Sequence, residues 1–173
     1  NILCEGAQGF WLDINHGDYP FVTSSTTLPY SACSLGFPPQ KIRHIYGAAK
    51  IYDTRVGTDP SFPDKMDTDE VLAKIGEVGK EFGSTTGRSR KEWWLNINKL
   101  VESINISGCT HIVISKTDVL DIVGVYKIYL DDNVEEFETL DDMKIYISEC
   151  LNSKCDLLQK IIFSDSPENV EGL

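Results

Sequence analysis

Strand-length runs rich in β-branched residues alternate with segments of helical periodicity along this chain of 173 residues. Residues 111–114, 123–130 and 157–163 have the length and composition of buried strands. Residues 1–4 and 44–52 are two further candidate strands. Strands that alternate with helices pack as a largely parallel sheet covered by helices on both faces. The sequence therefore predicts an α/β fold with a mostly parallel sheet and flanking helices.

Three helices are predicted from apolar side chains at helical spacing. The first follows a capping-box pattern formed by Asp67 and Glu70, and the second carries Trp93 on its apolar face. The third begins after Thr139 and places five side chains on one face, namely Met143, Tyr146, Ile147, Cys150 and Leu151. The acidic residues 131–138 are expected to form a solvated connection before it.

Acidic residues exceed basic ones, with 27 Asp plus Glu against 16 Lys plus Arg and a formal net charge of −11. A surface of that sign disfavours non-specific nucleic-acid binding, which needs a basic face. No apolar run approaches the roughly 20 residues of a membrane-spanning helix. The five cysteines form no Cys-x-x-Cys pair and the three histidines show no metal-ligand spacing, so neither a disulfide scaffold nor a metal site is predicted. These features indicate a cytoplasmic protein without nucleic-acid or membrane partners.

Residues 83–90 combine two glycines, two arginines and a run of hydroxyl side chains, in the order Gly-Ser-Thr-Thr-Gly-Arg-Ser-Arg. Backbone amides, hydroxyls and guanidinium groups can all donate to one anion, and arginine suits bidentate binding of carboxylate or phosphate. A solvent-exposed turn with incidental arginines is an equally good interpretation of this segment alone.

The sequence Ser-Lys-Thr-Asp at residues 115–118 directly follows the predicted strand 111–114. A Lys-x-Asp motif at a strand's carboxyl end is used by many nucleotide-binding proteins to recognise guanine, and ligands collect at that edge of a parallel sheet. The alternative is a helix start with Asp118 as its cap.

Two other segments are candidates for ligand contact. Gln8 lies between glycines and can both donate to and accept from a base or a phosphate, although a tight turn would explain the glycines equally well. Thr54-Arg55-Val56-Gly57 follows a strand and, taken alone, is no more than a strand end.

The order and spacing of these segments resemble those of the adenylosuccinate synthetase family. The matching segments are Glu-Gly-Ala-Gln-Gly at 5–9, Asp-Ile-Asn-His-Gly-Asp-Tyr-Pro-Phe-Val-Thr-Ser-Ser at 13–25, Thr-Arg-Val-Gly at 54–57, Phe-Gly-Ser-Thr-Thr-Gly-Arg-Ser-Arg at 82–90, Trp-Leu at 94–95 and Lys-Thr-Asp-Val-Leu-Asp at 116–121. The resemblance runs from Asn1 to about Asp121 and resumes at residues 164–167.

This resemblance implies a fold related to P-loop NTPases and a ligase of purine nucleotide biosynthesis that acts as a cytoplasmic homodimer. The family transfers the γ-phosphoryl group of GTP to O6 of IMP, with Mg²⁺, and L-aspartate then displaces phosphate to give adenylosuccinate. Residues 1–173 would be the C-terminal part of a single catalytic domain, because the family's phosphate loop, catalytic residues and main Mg²⁺ ligands would lie upstream of Asn1. The segment alone is expected to be inactive, and no catalytic or metal-binding residue is assigned in it.

The resemblance also implies roles for individual residues. IMP would contact Gln8, Leu12, Val22, Thr23, Val56 and Arg88. Aspartate would be bound by Ser84, Thr85, Thr86, Gly87, Arg88 and Arg90. GTP would be bound by Arg90, Lys116, Thr117, Asp118, Ser164, Asp165, Ser166 and Pro167.

Several departures from the family pattern keep other functions open. Residues 24–30 are one residue shorter than the family's segment, Ser166 and Asn169 replace a glycine and an arginine, and residues 121–164 are short, as in compact archaeal or viral members. Compact viral relatives join aspartate to dGMP in the 2-aminoadenine pathway and can use ATP. A hypothesis of another class is a non-catalytic nucleotide-binding remnant.

Overall fold

Two small sheets meet at Ile51 in the computed structural model, which describes residues 1–63, 69–83 and 87–170. Ile51 is fully buried, and its amide donates to the carbonyl of Ser115. The strands are β1 (Tyr46–Lys50), β2 (Tyr52–Arg55), β3 (Lys91–Asn96), β4 (His111–Ser115), β5 (Tyr126–Leu130), β6 (Asn133–Phe137) and β7 (Lys160–Phe163). The helices are α1 (Glu70–Gly79), α2 (Ile97–Ser107), α3 (Thr117–Val123) and α4 (Leu140–Lys154).

The first sheet is parallel throughout and has the strand order β1-β4-β7. The second has the order β2-β3-β5-β6, with a parallel β3–β5 pair between two antiparallel pairs. Three of the five pairings between the described strands are therefore parallel, which confirms the predicted α/β class with a mostly parallel sheet. None of the helices formed by the described residues has the length and apolar character needed to cross a bilayer.

The helix ends show why these segments are helical. The side chain of Asp69 accepts from the amides of Val71 and Leu72 and caps α1, whereas the predicted cap Asp67 lies outside the described residues. Thr139 caps α4 by accepting from the amide of Asp142, which confirms the third predicted helix. Its residues Met143, Ile147 and Leu151 are fully buried in the core.

Five predicted elements were wrong in their type or bounds. The predicted strand 44–52 is divided between β1 and β2, which belong to different sheets, and β7 begins only at Lys160 of the predicted strand 157–163. Residues 1–4 form no strand and are exposed, because no described strand lies beside them to complete their hydrogen bonds. Trp93 belongs to β3, since that strand is buried on both faces, and α2 starts only at Ile97, after a cap by Asn96. The predicted strand 123–130 begins only at Tyr126, because Val123 is the last residue of α3.

The acidic connection before α4 also differs from the prediction. Residues 133–137 form β6, which pairs antiparallel with β5. Asp131 and Asp132 both have positive φ, as the central residues of a tight hairpin turn require. Four of the five residues of β6 are exposed, so acidic side chains are tolerated there, and their charge concealed the hairpin.

Candidate functional site

The carboxyl ends of β1 and β4 lie side by side, since Lys50 is in register with Ser115. Lys116 follows β4 directly, has a left-handed backbone with φ 68°, and its Nζ donates to the carbonyl of Gly79 at 3.1 Å. The loop after α1 brings Arg90 to the same edge. Three cations therefore converge at the edge where ligands of parallel sheets bind.

Glu81 is the acidic centre of this edge and is only 2% exposed. Its Oε2 accepts from Lys50 Nζ at 2.6 Å and from Arg90 Nη1 at 2.9 Å, while its Oε1 accepts from the Tyr52 hydroxyl at 2.8 Å. Burial alone would raise the pKa of Glu81, but hydrogen bonds from Lys50 and Tyr52 hold it below its ordinary value. Burial, in turn, lowers the pKa of Lys50, and Glu81 offsets this effect. Glu81, Lys50 and Tyr52 belong to no motif in the sequence, because only the fold brings them together.

The arginine-containing segment forms a loop with a closed base. The amide of Arg90 donates to the carbonyl of Glu81 at 3.0 Å, and that of Gly83 donates to the carbonyl of Arg88 at 2.8 Å. Gly87 has φ +62°, a conformation that suits glycine, and its amide donates to the Gly83 carbonyl. Gly87 and Arg88 are exposed at this loop. The candidate aspartate-binding residues Ser84, Thr85 and Thr86 lie outside the described residues.

The Lys-x-Asp segment lies against the chain that follows β7. The amide of Thr117 donates to the carbonyl of Ser164, and the amide of Ser164 donates to the carbonyl of Ile114 at 2.9 Å. Asp118 stands in the first turn of α3 and makes no capping bond, so the interpretation as a helix cap was wrong. Its Oδ1 is buried and has no hydrogen-bond partner in the part of the chain that the structure describes.

A cleft of about 460 Å³ opens beside this segment. It is lined by Thr117, Asp118, Asp121, Ile122, Tyr126, Thr139, Leu140, Asp141, Lys144 and Asp165. Asp118 and Asp165, two of the candidate GTP-binding residues, thus share one cleft. Ser166 is joined to Ser164, whose hydroxyl donates to the Ser166 carbonyl at 2.7 Å, and Pro167 is exposed just beyond.

The candidate IMP-binding loop is organised by the buried Asp13. Burial alone would raise the pKa of Asp13, but the amides of Thr27, Asn15 and His16 donate to its carboxylate and hold the pKa below its ordinary value. The amide of Thr23 donates to the carbonyl of Leu12 at 2.8 Å, so these two candidate residues are neighbours.

Gly17 brings Val22 into the same loop. A Cβ at Gly17 would lie 2.5 Å from the Trp11 carbonyl oxygen and 2.8 Å from Val22 Cγ1, so only glycine lets the backbone pass this closely. The candidate residue Gln8 is exposed, with a left-handed backbone of φ 69°.

Arg55 joins that loop to β2. Its guanidinium donates to the carbonyl of Phe21 and forms a buried ion pair with Asp59, with 3.0 Å between Nε and Oδ2. Val56, the remaining candidate IMP residue, follows directly and is exposed. A second cleft of about 420 Å³ lies here, lined by Gly17, Asp18, Tyr19, Phe21, Asp59, Pro60 and Ser61. In the sequence this segment is no more than a strand end, because no local pattern reveals that Arg55 bonds to the Phe21 carbonyl.

The two groups of candidate residues are connected through Lys50. Its Nζ contacts the hydroxyl of Thr54 at 3.1 Å as well as Glu81, and Thr54 adjoins Arg55. The loop around Thr23 and the loop that ends at Arg90 are therefore attached to one continuous segment of β1 and β2. The described residues contain no group of three or more His, Cys, Asp or Glu side chains that could hold a metal ion.

The chain is similar to known proteins of one family. A family model for adenylosuccinate synthetase matches residues 1–156. The adenylosuccinate synthetase of Flavobacterium johnsoniae is 45% identical over 143 residues, which cover 79% of this chain and 33% of that relative. The chain thus spans about a third of the length of the curated relatives it matches.

Two solved structures share the fold. Fully ligated adenylosuccinate synthetase from Plasmodium falciparum has a TM-score of 0.81 at 24% identity, over 94% of this chain and 47% of that one. Succinoaminodeoxyadenylate synthetase of cyanophage S-2L, bound to dGMP and dATP, has a TM-score of 0.52 at 19% identity, over 84% and 49% of the two chains. Because the family model covers most of its length, the chain belongs to the adenylosuccinate synthetase family.

Proposed function

We propose that the full-length protein joins L-aspartate to IMP with hydrolysis of GTP and releases adenylosuccinate, GDP and phosphate. The match of the family model to residues 1–156 carries this proposal, and relatives named adenylosuccinate synthetase at 45–49% identity support it. In the first step O6 of IMP attacks the γ-phosphorus and GDP leaves. In the second the aspartate amino nitrogen attacks C6 and phosphate leaves. Positioning and charge neutralisation are the main demands of such a reaction.

Guanine is recognised by Asp118 in this proposal. An ionised carboxylate accepts two N–H bonds from the N1 and N2 edge of guanine, and Asp118 Oδ1 has no hydrogen-bond partner among the described residues. Lys116, anchored at the Gly79 carbonyl, places its aliphatic stem along the base. Thr117, Ser164, Asp165, Ser166 and Pro167 complete this side of the nucleotide site.

Aspartate is bound by the loop at residues 84–90. Its two carboxylates match the guanidinium groups of Arg88 and Arg90, with donors from Ser84, Thr85, Thr86 and Gly87. Arg90 lies at the cationic edge beside Lys50, so it contacts both aspartate and the triphosphate in this arrangement. Arg88, exposed at the loop, also reaches the ribose of IMP.

IMP is held by the loop that Asp13 organises. Leu12, Val22 and Val56 give the purine apolar contacts, while Gln8 and Thr23 offer polar ones. Mg²⁺, when bound, would neutralise charge on the triphosphate, and no residue of 1–173 is assigned as its ligand. The working unit is a cytoplasmic homodimer.

The test is turnover by the full-length protein with IMP, GTP, aspartate and Mg²⁺, followed by chromatography of the nucleotides. We expect adenylosuccinate and GDP in equal amounts. In competition, a preference for dGMP with ATP would replace IMP and GTP as the substrates and establish the viral-type reaction. Nucleotide binding without any turnover would instead establish a non-catalytic remnant.

A further inference from the structure

Glu81 has a role in the loop that no motif assigns to it. A buried carboxylate is costly unless it is paired, and Glu81 is paired with three donors, of which two are cations. Lys50 and Arg90 both bond to the same oxygen, so without the carboxylate two positive charges would face each other. The set of Lys50, Arg90 and Glu81 carries a net charge of +1.

Arg90 is fixed by Glu81 in two ways. Its amide donates to the Glu81 carbonyl, and its Nη1 donates to the Glu81 carboxylate. Residues Phe82 and Ser89, the next pair outward, form an isolated antiparallel bridge. Glu81 thus holds Arg90, at the end of this segment, through both main chain and side chain.

Part of the Arg90 guanidinium is open to an anion. Its side chain is 31% exposed, and its Nε is buried without a hydrogen-bond partner among the described residues. A guanidinium has five N–H donors in a fixed plane, so a bond at Nη1 sets the direction of the others. Glu81 therefore determines where Arg90 points.

We infer that Glu81 is the positioning residue of the aspartate-binding loop, which holds Arg90 toward the anionic substrates while contacting none of them itself. This inference rests on the proposed function, because it assumes that the loop binds aspartate and the triphosphate. Because Glu81 acts through Arg90, its replacement should change the KM of the substrates bound at the arginine loop. The KM for IMP, which is bound by the loop around Thr23, should change little. The effect of Glu81 is thus selective among the three substrates.

The experiment is steady-state kinetics of the full-length protein with Glu81→Gln, which removes the charge and keeps the shape. We expect the KM for aspartate to rise about 10- to 100-fold and kcat to fall, as for a misplaced binding group, with the KM for IMP changed less than about twofold. Glu81→Asp should recover part of the loss because it restores the charge. Glu77→Gln, an exposed neutral control on α1, should match the wild type.

Equal changes in all three KM values, or an unchanged KM for aspartate, would overturn the inference. Thermal unfolding of each variant identifies a loss of folded protein, and if Glu81→Gln does not fold, Tyr52→Phe gives the same readout. Tyr52→Phe removes one donor to Glu81 and keeps both ion pairs. A selective rise in the KM for aspartate would support the inference, and an unchanged KM for aspartate would contradict it. A wild-type protein without ligase activity would refute the proposed function instead.

Discussion

The amide of Thr117 donates to the carbonyl of Ser164 at 3.2 Å, which ties the start of α3 to the chain that leaves β7. Segments 47 residues apart in sequence therefore form one wall of the cleft that holds Asp118. The proposed base-recognition side of the site includes this contact, and the proposal can be tested at Asp118.

Replacement of Asp118 by Asn should convert the base preference of the full-length protein. The amide presents a donor where guanine N1–H and N2–H need an acceptor, so kcat/KM for GTP should fall by about 100-fold or more. Xanthosine triphosphate, whose C2 carbonyl accepts a hydrogen bond, should be used better by the variant than GTP. Asp156→Asn, at an exposed position, serves as the control. Unchanged kinetics with GTP would show that Asp118 does not contact the base.

Replacement of Arg88 by Leu should cripple turnover. Loss of the charged partner of a bound carboxylate costs about 2–5 kcal/mol, so kcat/KM for aspartate should fall by at least about 30-fold. The measurement is steady-state kinetics at varied aspartate. Arg43→Leu, another exposed arginine, is the matched control, and near-normal kinetics of the Arg88 variant would show that the loop is wrongly assigned.

Replacement of Arg55 by Met should destabilise the full-length protein. The Arg55–Asp59 pair is buried, with side chains 10% and 3% exposed, and removal of one partner leaves a charge in the interior. The expected loss is about 3–5 kcal/mol in the free energy of unfolding. Lys127→Met breaks a more exposed pair with Glu136 and should cost less than about 1 kcal/mol. Urea unfolding with equal losses in both variants would contradict this difference.

The stability of the protein should depend on pH through Glu92. Burial and the neighbouring Glu81 raise the pKa of Glu92 from its ordinary 4.5 to about 7. Between pH 4.5 and pH 7, unfolding releases the proton of Glu92. The stability that depends on this protonated carboxyl is therefore fully present below pH 4.5 and is lost as the pH rises through 7.

Glu92→Gln removes that ionisation. Urea unfolding gives the free energy of unfolding of the variant relative to wild type. This difference should be more favourable to the variant at pH 8 than at pH 5, by an amount on the order of 1–3 kcal/mol. Glu77→Gln, at an exposed position, is the matched control. An equal effect of Glu92→Gln at both pH values would contradict the raised pKa.

Local patterns predicted those parts of the fold that local forces decide. Thr139 and the apolar face after it gave α4, and the β-branched residues 111–114 gave the strand that precedes Lys116. Trp93 was placed in a helix because its spacing to Ile97 fits a helical face, while its burial within β3 depends on strands far away in sequence.

The candidate site was predictable only where a motif carries it. Lys116 and Asp118 stand in such a motif, and Thr117 between them donates its amide to the carbonyl of Ser164, while their assignment as GTP-binding residues stays a prediction. Glu81 and Arg55 were missed because each gains its partners from another segment, and nothing in a local pattern reveals a contact of that kind.

The turn of the chain at Ile51 makes one short backbone segment common to two loops. Lys50 bonds to Glu81 at the base of the arginine loop. Arg55, five residues after Lys50, bonds to Phe21 in the other loop. An extended chain cannot lengthen beyond about 3.3–3.6 Å per residue, so the two attachment points cannot move apart by more than the reach of five residues. The segment from Lys50 to Arg55 therefore limits the separation of the proposed amino-acid and purine ends of the site.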